Sequence, residues 1–173
     1  MTAIGWLAQP AVLPWVALAL GLCVGSFLNV VIHRLPKMME REWREQCAEL
    51  AAQPGATSPP AGRYNLFVPR SACPKCGRQI KALENIPLVS WLALRGRCSA
   101  CGSKIAVRYP VVELTTGLVA GYAAWRYGLS LAWLGSVFFG CALLALTAID
   151  LDTQLLPDDI TLPLLWAGLL VNL

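Results

Sequence analysis

AVLPWVALALGLCVGSFLNVVIH, residues 11–33, contains no Lys, Arg, Asp or Glu. A helix needs ~20 apolar residues to cross the ~30 Å hydrocarbon core of a bilayer, and this run supplies them. The stretch therefore predicts a membrane-spanning helix and makes the bilayer the first environment to consider. Composition agrees: mean hydropathy is +0.57 and only 14% of the 173 residues are charged, well away from the values of ordinary soluble domains. A secretory signal peptide would need a basic segment ahead of the apolar run. No Lys or Arg precedes Arg34.

Two further apolar segments, Val111–Tyr127 and Leu129–Ile149, flank a tight turn expected at Arg126-Tyr127-Gly128. A fourth begins at Ile160 and has 14 residues before Leu173, fewer than a crossing requires. The expectation is a chain that stops inside a membrane helix, the N-terminal portion of something longer. Of the 14 basic residues, 13 fall between Arg34 and Arg108 and the last is Arg126. Basic residues near membrane ends stay in the cytoplasm. The N-terminus and the 126–128 turn should thus face outward, and residues 34–110 and 150–159 inward. The pI near 8.8 is explained by this topology and by attraction to anionic lipid headgroups rather than by nucleic-acid binding.

Within the inward segment, Lys37–Gln53 reads as an amphipathic surface helix. Met39, Trp43, Cys47 and Leu50 recur at helical spacing, and Glu40 and Arg44 form an i,i+4 pair. Residues 54–62, PGATSPPAG, read as a linker. Then come Cys73-Pro-Lys-Cys76-Gly and Cys98-Ser-Ala-Cys101-Gly, two CxxC pairs with 21 residues between them, close to the spacing of tetrahedral zinc sites. The glycine after each pair permits the positive φ of a metal knuckle. Lys75, Arg78, Arg97 and Lys104 stand nearby to offset thiolate charge. Disulfides are the competing reading, and a reducing cytoplasm disfavours them. Cys73, Cys76, Cys98 and Cys101 are the expected ligands of one structural Zn²⁺, whereas Cys23, Cys47 and Cys141 read as small apolar fillers. The fold class expected is an all-α polytopic membrane helix bundle with a small cytoplasmic zinc-ribbon-like four-Cys domain inserted after the first span.

In GSFLNVVIHRLP, residues 25–36, Gly25 and Ser26 allow close helix approach and Asn29 seeks an interhelical hydrogen bond. His33, Arg34 and Pro36 mark the inner membrane boundary. Glu113 is expected near the N-terminus of the second span, where the helix dipole favours an acid. Four of the ten acids gather in IDLDTQLLPDDI, residues 149–160. Asp150 follows directly on an uncharged run, and ionisable groups at membrane depth are functional candidates by default. Asp158 and Asp159 suit N-cap and first-turn positions of the next helix. Asp152 is undecided between these roles.

Taken in order, GSFLNVVIHRLP, the CPKC and CSAC pairs around ENIPLVSWLALRGRC, YPVVEL and IDLDTQLLPDDIT resemble the bacterial type IV prepilin peptidases, or leader peptidase/N-methyltransferases. The resemblance implies a multi-pass inner-membrane aspartic endopeptidase that removes the basic leader of type IV prepilins and type II secretion pseudopilins on the cytoplasmic side. It divides the chain into a first transmembrane helix (1–36, N-terminus periplasmic), a cytoplasmic domain (37–109) and the start of the peptidase membrane domain (110–173). It assigns the first catalytic aspartate to Asp150, seven residues before Pro157. It implies a second activity, S-adenosylmethionine-dependent methylation of the new N-terminus. The family's second aspartate belongs to a GxGD motif, which these 173 residues do not contain. No GxGxxG marks a soluble methyl-donor fold, so Asn29, Arg34, Glu84, Asn85 and Glu113 are the polar candidates for that role. The alternative is a non-catalytic, membrane-anchored zinc module that docks secretion or pilus proteins.

Overall fold

The computed structural model describes residues 9–51 and 64–172. The expected linker at 54–62 lies outside them. Helix α1 spans Leu13–Ala51, α2 Val89–Ala93, α3 Arg108–Tyr127, α4 Leu131–Thr153 and α5 Asp158–Val171, with a 3₁₀ turn at Ala82–Asn85. The described residues contain no strand, only two isolated antiparallel bridges.

The first apolar run does not end at Pro36. α1 continues through that proline for 39 residues, so the expected membrane helix and the expected amphipathic helix are one element. Pro36 cannot donate to the carbonyl of Ile32, yet it is buried, and Met, Glu, Arg, Gln and Ala beyond it are good helix formers. At ~1.5 Å per residue, α1 reaches ~58 Å, about twice the hydrocarbon thickness. Met39 packs at the edge of the core, and Trp43, Cys47 and Leu50 are exposed, as on a surface helix. The Glu40–Arg44 pair forms at 3.3 Å.

Two helices among the described residues, α1 and α4, are long and apolar enough to cross a membrane. The segment expected as a further span is α3, which carries Arg108, Glu113 and Arg126 within its 20 residues. The turn falls where expected, with α3 ending at Tyr127 and Gly128 at φ +61°. Ser130 then caps α4 by accepting a hydrogen bond from the Trp133 backbone N–H at 3.3 Å.

Small residues at a helix–helix contact let the two backbones approach closely. The α1–α3 contact follows that rule. A Cβ placed on Gly21 would stand 2.7 Å from the Ala120 Cβ, and one on Gly25 would stand 2.7 Å from the Glu113 Cα. Across this seam the Asn29 amide donates to the Tyr109 carbonyl at 3.1 Å, the interhelical bond the sequence led us to expect. α4 joins lower down, where Leu28, Ile32 and Leu35 of α1 meet Val112 of α3 and Ala145, Ala148 and Ile149 of α4.

Candidate functional site

The two CxxC pairs fold into matching knuckles. Cys73 N–H donates to Arg78 O, Gly77 N–H to Cys73 O and Ile80 N–H to Ser71 O; Cys98, Gly102 and Ile105 repeat the pattern with Ser103, Cys98 and Gly96, every bond lying between 2.7 and 2.9 Å. Gly77 and Gly102 close the two turns at φ +71° and +67°, where a side chain would be strained. The repeat brings all four sulfurs within 4.8 Å of one another, with Cys73 and Cys101 Sγ 3.8 Å apart. Zn–S bonds of ~2.3 Å at tetrahedral angles place sulfurs about 3.8 Å apart, so the donor set fits a metal of that kind.

Electrostatics favours the same conclusion. Backbone N–H groups of Cys76 and Lys75, with the Ser103 hydroxyl, hold the Cys73 thiol down at about 6. At Cys76 the Arg78 N–H pulls the same way, but the neighbouring Cys73 sulfur and those of Cys101 and Cys98 push it up to about 11. Cys101 is lowered, chiefly by the Ser103 side chain and backbone. Thiolates gathered this closely repel one another, and a bound cation removes the conflict. Packing adds a second reason. Among the described residues from 64 to 107, only Gly96 is buried, so the unit has no apolar core of its own to hold it together. Ser103, absent from the sequence-based assignment, lies 3.1 Å from the Cys101 sulfur and 3.6 Å from that of Cys73. Its signal was positional: it occupies in the second knuckle the place Arg78 holds in the first.

Arg78 itself is not free to neutralise sulfur. Its guanidinium donates to the Ser99 hydroxyl at 2.6 Å and to Glu84 Oε1 at 3.0 Å, and Ser99 donates to the same Glu84 oxygen at 2.6 Å. The Ser99 hydroxyl, the Lys81 N–H and then Arg78 hold the Glu84 carboxyl below its ordinary range. Glu84 thus clasps the two knuckles together.

Two buried polar groups, Arg34 and Glu113, tie this unit to the helices. Arg34 donates to the carbonyls of Asn65 and Pro69 at 2.9 and 2.6 Å, pinning the 64–69 loop to α1. Tyr64 lies between Arg34 and Arg41, 5.8 and 4.1 Å from its ring centre. Glu113 accepts from the Leu88 N–H at 2.8 Å. Because α3 starts at Arg108, Glu113 lies beyond its first turn and does not complement the helix dipole as expected. Of the five polar residues considered for methyl-donor binding, Asn29 is bonded to α3, Arg34, Glu84 and Glu113 are engaged with loops or knuckles, and Asn85 is exposed.

Asp150 lies in the last turn of α4, exposed, directly after the fully buried Ile149. Its carboxylate makes no hydrogen bond or ion pair among the described residues. Its backbone carbonyl accepts from the N–H of Gln154, a left-handed C-cap at φ +54°. Asp152 is resolved as an ion-pair partner of Arg108, whose second amino group donates to the Ala148 carbonyl at 3.1 Å. Asp158 and Asp159 open α5, but the N-cap is Pro157, so both are first-turn residues. An open cleft of about 250 Å³ between α1 and the α4–α5 connection is lined by Trp43, Glu42, Leu156, Asp158 and Asp159.

Residues 19–127 match the family model described as the bacterial peptidase A24 N-terminal domain. The chain belongs to the bacterial peptidase A24 family. Residues 137–173, which include Asp150, match the model of the type IV leader peptidase family. Relatives named "Prepilin leader peptidase/N-methyltransferase" include one from Stutzerimonas stutzeri, 53% identical over 173 residues, covering 99% of this chain and 59% of the relative. One from Pseudomonas aeruginosa is 54% identical over 154 residues, covering 88% and 52% respectively. One from Neisseria gonorrhoeae is 52% identical over 157 residues, covering 91% and 54%. The chain therefore spans a little over half the length of these A24 relatives. No solved structure matches it.

Proposed function

We propose that this chain is part of a multi-pass inner-membrane aspartic endopeptidase that cleaves the leader from type IV prepilins and type II secretion pseudopilins at the cytoplasmic face. In this reading α3 crosses the membrane alongside α1 and α4, and the four-Cys unit and Asp150 both face inward. The observation that carries the proposal is Asp150: an exposed carboxylate at the end of an apolar helix, inside the segment matched to the leader peptidase family.

Peptide hydrolysis by carboxylates needs two of them. Neighbouring carboxyl groups share a proton, so one takes the proton of the attacking water while the other donates to the scissile carbonyl oxygen. Asp152 is held by Arg108 and Asp158 and Asp159 open α5, so none is offered as the partner. We place the second carboxylate outside residues 1–173. The four thiolates would hold one Zn²⁺, and a closed four-sulfur set leaves no position for water, which makes the metal structural. The second activity is methylation of the N-terminus exposed by cleavage, with the methyl group supplied by S-adenosylmethionine. The test is leader cleavage by the full-length membrane protein carrying Asp150→Asn. Loss of product with normal accumulation supports the peptidase. Full activity removes Asp150 from the reaction and favours a zinc module that docks secretion proteins.

A further inference from the structure

Arg108 and Asp152 each stand at the wrong end of their own helix. Arg108 is the first residue of α3, where the dipole is positive, and Asp152 lies in the last turn of α4, where it is negative. Neither charge assists its helix, and both are offset only by meeting each other. The contact has a second arm: the same guanidinium donates to the Ala148 carbonyl.

The spacing along α4 gives this grip its significance. At about 100° per residue, Ala148 and Asp152 lie on nearly the same face, while Asp150, midway between them, points to the opposite one. A guanidinium fork fixed to both 148 and 152 therefore sets the rotation and axial height of this turn. It holds the Asp150 face outward, in agreement with the exposure of Asp150 beside the buried Ala148 and Ile149. Arg108 also follows closely on the second cysteine knuckle, whose last bridge joins Arg97 and Lys104. One side chain at the start of α3, just after the four-Cys unit, thus reaches the aspartate-bearing helix end.

We propose that Arg108 is a positioning residue for Asp150, gripping the Ala148–Asp152 face of α4 so that the Asp150 carboxylate is presented from the other side. The proposal rests on the reading of Asp150 as a peptidase carboxylate. A point charge can satisfy Asp152, but only the planar fork also reaches the Ala148 carbonyl.

The experiment measures leader cleavage by the full-length enzyme with Arg108→Ala, Arg108→Lys, Asp152→Ala and the exchanged pair Arg108→Asp/Asp152→Arg, with metal content recorded for each. Asp150→Asn serves as reference. Arg108→Ala should lower kcat by about ten- to a hundredfold, the scale of a misplaced reacting group, with KM and metal content close to wild type. The exchanged pair restores the charge contact but leaves the Ala148 carbonyl without its donor, so its kcat should stay below wild type, as in Arg108→Lys. Wild-type kcat in Arg108→Ala, or in the exchanged pair, overturns the proposal. Should Arg108→Ala fail to accumulate, Arg108→Lys decides: reduced kcat at unchanged KM supports the grip, and wild-type kcat refutes it. A fully active Asp150→Asn would instead refute the underlying peptidase reading.

Discussion

Replacing Gly25 with Ala tests whether the α1–α3 seam is the structural base of the site. The new methyl carbon would stand 2.7 Å from the Glu113 Cα and 3.1 Å from both Cβ and Oγ1 of Thr116. Carbon atoms in ordinary contact are ~3.5 Å or more apart, so the shortfall is about 0.8 Å, and the obstacle is backbone that no rotamer change can remove. The helices must separate. One turn further along, the Asn29–Tyr109 hydrogen bond at 3.1 Å would stretch toward about 3.9 Å, beyond a useful length. Overpacking of this kind costs about 1–3 kcal/mol. For a chain of this size that corresponds to a fall in Tm of roughly 3–10 °C. The measurement is thermal unfolding of the purified protein in one detergent, with Gly135→Ala as control. A Cβ at Gly135, also helical, meets nothing within 4 Å, and Gly to Ala in a helix is favourable by about 1 kcal/mol. Gly25→Ala should therefore destabilise and Gly135→Ala should not. Equal Tm values for the two variants would refute the close-packed seam.

The metal prediction is about one Zn²⁺ per chain in protein purified without chelator. Cys73→Ser or Cys98→Ser should abolish it by elemental analysis, and a metal-free wild-type protein would defeat the assignment. Glu84 provides a pH test. Its carboxyl is held low in the folded protein by Ser99, the Lys81 N–H and Arg78, so the associated stability is complete above the ordinary carboxylate range. That stability should be lost as pH falls through the depressed value. Glu84→Gln should flatten the acid limb of a Tm-against-pH curve, whereas an unchanged curve would show that the clasp contributes nothing.

The sequence made the helices legible where a single property ran unbroken. The apolar runs marked α4 and the apolar part of α1, the turn at Gly128 was placed correctly, and the paired CxxC spacing located the four-sulfur centre. The errors arose where two local signals competed. Pro36 suggested a helix end, but the helix formers beyond it carried α1 onward. The apolar stripe of Met39, Trp43, Cys47 and Leu50 was legible as one face of a surface helix, of which Met39 alone among the four packs at the core. Arg108, Ser103 and the Leu88 contact of Glu113 are products of tertiary arrangement, separated from their partners by up to 44 residues. One trace of Arg108 was present: a cation opening a helix and an anion closing another are each unfavourable alone, which suggests a partner.

The links between the two halves follow from what each half lacks. From 64 to 107, no apolar side chain among the described residues is buried, so a metal at the knuckles can fix local shape but not orientation against the helices. Orientation must come from polar contacts at the boundary. Arg34 and Glu113 supply it on the α1–α3 side, both of them buried, where an unpaired polar group would be costly. Arg108 extends the same set of contacts to α4. Loss of the metal should therefore loosen the knuckles while leaving the glycine seam intact, because the seam depends on contacts between helices alone. Loss of the boundary contacts should have the opposite effect: an intact metal centre no longer held in register with the helix end that carries Asp150.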